Sequence, residues 1–186
     1  NPYKSPTDMG VNMAGNCIFD DEAVQNAARQ EIIRRYYDAL CDRRRGKGSD
    51  ETVYKLELLM NQTGVTATDR KVVTAALAVA QETGSPAAAI ELPDGRLVTG
   101  KTSDLMGPAA GAVLNALKAL AGIPQTLDLI SPEAIMPIQH LKVEHLGSLN
   151  PRLHSDEVLI ALASSATTNP LADKAMDQLA SLRNCQ

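Results

Sequence analysis

Between the runs Ala89-Ile90-Glu91-Leu92 and Arg96-Leu97-Val98-Thr99 stands Pro93-Asp94-Gly95, the stretch that most restricts what this chain can become. Proline presets the φ of a turn, aspartate bonds the backbone just after it, and glycine supplies the positive φ that closes the turn. The two flanking runs then read as short strands of a hairpin. A competing pattern occupies the same residues: Gly95-Arg96-Leu97-Val98-Thr99-Gly100-Lys101-Thr102 spells the phosphate-loop signature G-x-x-x-x-G-K-[ST]. A working phosphate loop crosses from a strand to a helix, so that bare N–H groups cradle the phosphates. A hairpin turn at Gly95 does not provide that context, and the nucleotide-loop reading is set aside.

Helical signals surround the hairpin. Asp20 or Asp21 can cap a first helix whose Val24, Ala28, Ile32, Ile33, Tyr36, Tyr37 and Leu40 form an apolar stripe, with Gly46 as its stop. Arg43, Arg44 and Arg45 at its end complement the helix dipole, which is preferred over a phosphate-binding role. A second helix is predicted over about 50–61, with Val53, Leu56, Leu59 and Met60 inward and Gly64 beyond its end. A third runs over about 67–83, where Thr66 and Asp69 have capping-box spacing, Val72, Val73, Ala76, Leu77 and Ala80 form the buried stripe, and Gly84 terminates it.

After the hairpin, 107–121 is rich in Ala and Gly and apolar all round, the mark of a buried helix, and Gly122 and Pro124 end it. Thr126 to Ile130 reads as a short strand, and Ser131-Pro132-Glu133 as a helix start. Ser155 can cap a helix through Val158, Ile160, Leu162 and Ala163. Asn169-Pro170 starts another, with Leu171, Ala175, Leu179 and Leu182 on one face. The expected fold is α+β: a mostly helical first half, then a small mixed sheet (hairpin plus one strand) backed by helices. The expected organisation is an irregular opening segment over 1–19, a helical lobe over 20–84 and a sheet-and-helix lobe over 85–186, packed as one domain.

Composition narrows the partners. Aromatic residues make up 3%, with no Trp and one Phe, so the core must be close-packed aliphatic side chains, which suits helices. A formal charge of −4 argues against binding nucleic acid through net positive charge. Cys17, Cys41 and Cys185 are odd in number and widely spaced, which points to a reducing, cytoplasmic setting. No stretch approaches a membrane span, and no membrane partner is expected. The opening Asn1-Pro2-Tyr3-Lys4-Ser5-Pro6-Thr7-Asp8 reads like the middle of a protein.

Three groups of residues are candidate sites. Lys101, Thr102 and Ser103 precede a helix start and, with Arg152, could hold an anion or phosphate; the alternative is a cap in which Ser103 or Asp104 satisfies the helix N–H groups itself. His140, His145 and His154 fall close together with Glu144, Asp156 and Glu157 nearby, a candidate metal set. Spacing opposes it, because residues five apart on an α-helix point away from each other, and the inverted zinc motif H-x-x-E-H is missed by one residue. A helix break between Leu141 and Gly147 would restore it. Third, Tyr3, Lys4, Ser5, Thr7, Asp8, Asn12, Asn16 and Cys17 are dense enough in polar groups to line a cleft. With no base or positive neighbour in sequence, Cys17 reads as a buried, inert thiol.

The strings Pro2-Tyr3-Lys4-Ser5-Pro6-Thr7-Asp8-Met9-Gly10-Val11-Asn12-Met13, Gly15-Asn16-Cys17-Ile18 and Gln30-Glu31-Ile32-Ile33-Arg34-Arg35-Tyr36-Tyr37 are distinctive. So are Ala88-Ala89-Ile90-Glu91-Leu92-Pro93-Asp94-Gly95, Thr99-Gly100-Lys101-Thr102-Ser103-Asp104-Leu105, Gln139-His140-Leu141-Lys142-Val143 and Asn150-Pro151-Arg152-Leu153-His154. Over nearly its whole length the chain resembles the C-terminal part of an uncharacterised bacterial family, number eighteen-forty-six among the domains of unknown function. The resemblance implies a longer parent protein whose glycine-rich, phosphate-loop-like segment lies upstream of the matched region. Some members carry a label of ATP-dependent peptidase. The family supplies no established catalytic residue or cofactor to carry over.

Two functions follow as expectations. In one, the chain is the C-terminal domain of a cytoplasmic protein and adds an anion-binding wall of Lys101, Thr102, Ser103 and Arg152 to a cleft shared with an N-terminal nucleotide-binding part. In the other it is a non-catalytic module for assembly with that part or for a homo-oligomer. The first requires the opening segment, Lys101 and the His154 region to meet; the second requires an exposed apolar face.

Overall fold

The computed structural model describes residues 10–13 and 17–185. It divides into two compact units, Asn1–Arg70 and Lys71–Gln186.

The first unit is a helical hairpin. Helix α1 spans Asp21–Arg44, and Asp20 caps it by accepting the Ala23 N–H at 2.9 Å. Helix α2 spans Asp50–Thr63 under a Ser49 cap and ends at Gly64, whose φ of 66° is left-handed. Ile32 of α1 packs with Leu59 and Met60 of α2, while Ala39 packs with Val53 and Leu56; Tyr36 borders both clusters. Tyr37, expected in the apolar stripe, is exposed. The Thr66/Asp69 capping box is present, with Thr66 N–H donating to Asp69 Oδ2 at 2.7 Å. It starts a short 3₁₀ turn, Ala67–Asp69, rather than the third helix, because Arg70 is extended and interrupts the helical path.

The second unit begins with α3, Lys71–Thr83. None of α3 is fully buried and Leu77 is exposed, so the predicted buried stripe is only half covered. The hairpin follows as predicted: β1, Ala87–Glu91, pairs antiparallel with β2, Leu97–Lys101, in the register Ala89↔Thr99. Gly95 closes it at φ 82°. Helix α4, Pro108–Ala121, lies on the hairpin. A Cβ added to Gly100 would stand 2.1 Å from the Ala112 nitrogen and 2.5 Å from the Pro108 oxygen. The second glycine of the phosphate-loop pattern is therefore a packing glycine, present because strand and helix backbones touch there.

The remaining elements are α5, Pro132–His140; a π turn, Leu141–His145; α6, Ser155–Ala166; α7, Pro170–Met176; and a 3₁₀ turn, Leu179–Asn184. Their core joins Leu114, Leu117, Ile135, Leu153, Val158, Leu162, Ala172 and Ala175. The chain is α+β, as its sequence indicates, but the predicted strand at Thr126 to Ile130 does not form. Leu129 and Ile130 are buried through side chains alone, and the Leu129 carbonyl accepts from Asn169 Nδ2 at 3.2 Å instead of from a strand. Among the described residues the sheet is accordingly two-stranded, and parallel pairing is confined to an isolated bridge between Met106 and Leu153.

Candidate functional site

Lys101 ends β2 opposite Ala87 and is exposed. The next residue turns inward: Thr102 donates from both its N–H and its Oγ1 to the Pro86 carbonyl, each at 2.9 Å. Ser103 then closes a tight turn, its Oγ accepting from the N–H groups of Leu105 and Met106 at 3.3 and 3.2 Å. Both hydroxyls thus hold backbone. The expected cap of α4 by Ser103 or Asp104 gives way to Gly107 at the cap position, with Pro108, which has no N–H, at the first turn.

Arg152 meets this loop. Its Nε donates to the Ser103 carbonyl at 2.6 Å, and its guanidinium stands 3.8 Å from the Asp104 carboxylate. The backbone joins in, with Leu153 N–H donating to Leu105 O and Gly107 N–H donating to Leu153 O, both at 3.0 Å. The four residues Lys101, Thr102, Ser103 and Arg152 are thus brought to one loop junction, where three of them tie the 102–107 loop to its neighbours.

The histidines are arranged differently from what α-helical spacing predicts. Residues 141–145 form a π turn, closed by the Leu146 N–H donating to Leu141 O at 3.1 Å. A turn bonded from i+5 to i superposes residues five apart, as an α turn superposes those four apart. The rings of His140 and His145 accordingly lie 5.8 Å apart between centroids and tilted by 50°. Glu144 Oε2 stands 3.3 Å from His140 Nε2. His154 is elsewhere: it takes the cap position of α6 expected of Ser155, donates its backbone N–H to Glu157 Oε2 at 2.7 Å, and has its ring 3.4 Å from Asn150 Nδ2. Among the described residues, no group of three or more His, Cys, Asp or Glu is placed to hold a metal ion.

Of the candidate cleft residues, Tyr3, Lys4, Ser5, Thr7, Asp8 and Asn16 lie outside the described residues. Asn12 Nδ2 donates to the Ile18 carbonyl at 2.6 Å and to Asp21 Oδ1 at 2.9 Å, securing the approach to α1. Cys17 is exposed, contrary to the buried thiol expected, because this stretch has no covering element among the described residues.

Two buried lysines escaped the sequence reading. Lys142, on the inner side of the π turn, donates to the Arg152 carbonyl and to Glu157 Oε2, both at 2.7 Å. Burial works against ionised Glu157, but donation from Lys142 and from the His154 N–H outweighs it and lowers its pKa below the usual glutamate value. Lys118 of α4 donates to Gln125 O at 3.1 Å; burial lowers its pKa, opposed by the charge of Asp128. A signal for Lys142 was present: it follows Ile135 and Ile138 at i+7 and i+4, on the face that goes inward.

Two family models cover the chain: the C-terminal "Domain of unknown function DUF1846" over residues 68–186 and its N-terminal counterpart over residues 1–64. The chain is 59% identical over 184 residues to a UPF0371 protein of Corynebacterium glutamicum (strain R), covering 99% of this chain and 37% of that protein. It is 56% identical over 185 residues to a UPF0371 protein of Streptococcus pneumoniae (strain CGSP14), covering 100% of this chain and again 37% of the relative. The chain therefore spans little more than a third of these curated relatives, and no helix among its described residues is long and apolar enough to cross a membrane. With both models matched across nearly its whole length, the chain belongs to the DUF1846 family and corresponds to one region of a larger protein.

Proposed function

We propose that this region is an assembly module, which presents the segment Leu141 to Leu149 to the remainder of its longer protein. One observation carries the reading: Leu149 is 101% exposed and Leu146 70%, with Leu141 and Val143 also exposed, four large apolar side chains within nine residues. Single apolar residues on a surface are ordinary, but four exposed within so short a stretch support a place where another surface packs. The occupant follows from length, since the relatives hold nearly two thirds of their chain outside this region. The three free cysteines fit action in a reducing, cytoplasmic compartment.

The test pairs Leu146→Ser with Leu149→Ser in the full-length protein and, separately, in this chain. Lower unfolding temperature and faster proteolysis in the full-length protein alone are the expected result. A loss of oligomer mass by light scattering without that destabilisation would assign the face to a second copy, and an unchanged full-length protein would end the proposal.

The anion-binding wall is the second reading, favoured by exposed Lys101 standing beside the loop that Arg152 secures. Thr102 and Ser103 already hold backbone, so in this reading Lys101 supplies the charge, and the partner part of the protein supplies the remaining contacts to a phosphate.

A further inference from the structure

We infer that His140 and His145 form a two-imidazole site for a divalent transition-metal ion on the outer face of the π turn. On an α-helix the two rings would diverge, whereas the turn closed between Leu141 and Leu146 brings them to a centroid separation of 5.8 Å. An ion about 2.1 Å from one nitrogen of each ring lies about 3.2 Å from each centroid, and a tetrahedral angle then sets the centroids about 5.2 Å apart. The difference of about half an ångström is within reach of rotation about the χ angles of two exposed side chains.

Glu144 completes the arrangement. Its carboxylate stands 3.3 Å from His140 Nε2 and occupies that side of the ring, which leaves Nδ1 as the nitrogen open to a metal. A carboxylate placed behind a ligating imidazole orients the ring toward the metal. Imidazole donors suit zinc, copper and nickel rather than magnesium or calcium, which defines the class of ion. His154 is held at the start of α6 beside Asn150 and is not part of the pair. With two protein donors, the other coordination positions go to water or to a group from a bound partner. The site is independent of the apolar docking face, although both depend on the same turn.

The experiment is calorimetric titration of Zn²⁺ into the protein at pH 7.5, repeated with His140→Ala, His145→Ala, Glu144→Gln and His154→Ala. Circular dichroism checks that each variant is folded, as expected for changes at exposed positions. Expected are one ion bound per chain, loss of that binding in each of the His140 and His145 variants, an affinity lowered about tenfold in Glu144→Gln, and no change in His154→Ala. Absence of binding in the unaltered protein overturns the inference, as does binding that persists unchanged in His140→Ala or in His145→Ala.

Discussion

Lys142 Nζ lies 2.7 Å from Glu157 Oε2, joining the π turn to the first turn of α6, with the lysine side chain 6% exposed and the carboxylate 26%. The same carboxylate oxygen accepts the His154 N–H, and the same ammonium donates to the Arg152 carbonyl. A single ion pair thus fixes the 152–154 backbone that carries both Arg152 and the parallel bridge to Met106.

Glu157→Gln should destabilise the protein by about 3–5 kcal/mol, because it leaves a buried ammonium without its counter-charge. Lys142→Met should cost less, about 2–3 kcal/mol, since the carboxylate left behind is partly solvated and the methionine fills the volume. Urea denaturation of both variants and of the double variant measures the order. A Glu157→Gln cost below that of Lys142→Met would contradict it.

The same pair predicts acid sensitivity. Glu157 has a folded-state pKa below its unfolded value, so its contribution is present above the unfolded glutamate pKa, about 4.3, and is lost as pH falls through the lower folded value. Stability of the unaltered protein should therefore drop more steeply below about pH 4 than that of Glu157→Gln. Thermal unfolding at a series of pH values compares the two slopes, and parallel curves would show that the pair contributes nothing there.

Gly100→Ala should cost about 3 kcal/mol or more, since the added carbon would stand 2.1 Å from the Ala112 nitrogen and a backbone cannot move aside as a side-chain tip does. Gly95→Ala meets open space but must hold φ 82°, a strain of about 1 kcal/mol. Chemical denaturation ranks the two. An equal cost would mean that strand and helix move apart to admit the carbon at Gly100, so that their close contact is not what requires glycine there.

Lys101→Ala should leave stability within about 0.5 kcal/mol of the original, as expected for an exposed strand end. Phosphate or pyrophosphate should raise the unfolding temperature of the full-length protein, and the variant should abolish that rise if Lys101 supplies the charge. A rise that persists in the variant would place the anion elsewhere.

Caps and turns were legible because their chemistry is local. Asp20, Asn169 and Ser131 each accept a backbone N–H of the helix that follows, and Gly64 and Gly122 take the left-handed φ that ends α2 and α4. The hairpin belongs to the same group, since Asp94 and Gly95 specify a turn whatever packs on it. The candidate sites were less legible. The two-histidine pair depends on a change from α to π register that spacing cannot announce, and Tyr37, read as part of the apolar stripe of α1, is exposed in the folded chain.

The sequence by itself thus determined where helices start and stop, where the chain reverses at Gly95, and that the core is aliphatic. Tertiary structure alone decided that Leu129 and Ile130 are buried without a strand, that Gly100 serves helix contact rather than phosphate, and that Lys142 faces Glu157 while His140 faces His145. The reason is one of range: caps and turns satisfy backbone groups within about four residues of themselves. Burial, register and charge pairing depend on surfaces that meet only after distant segments have packed.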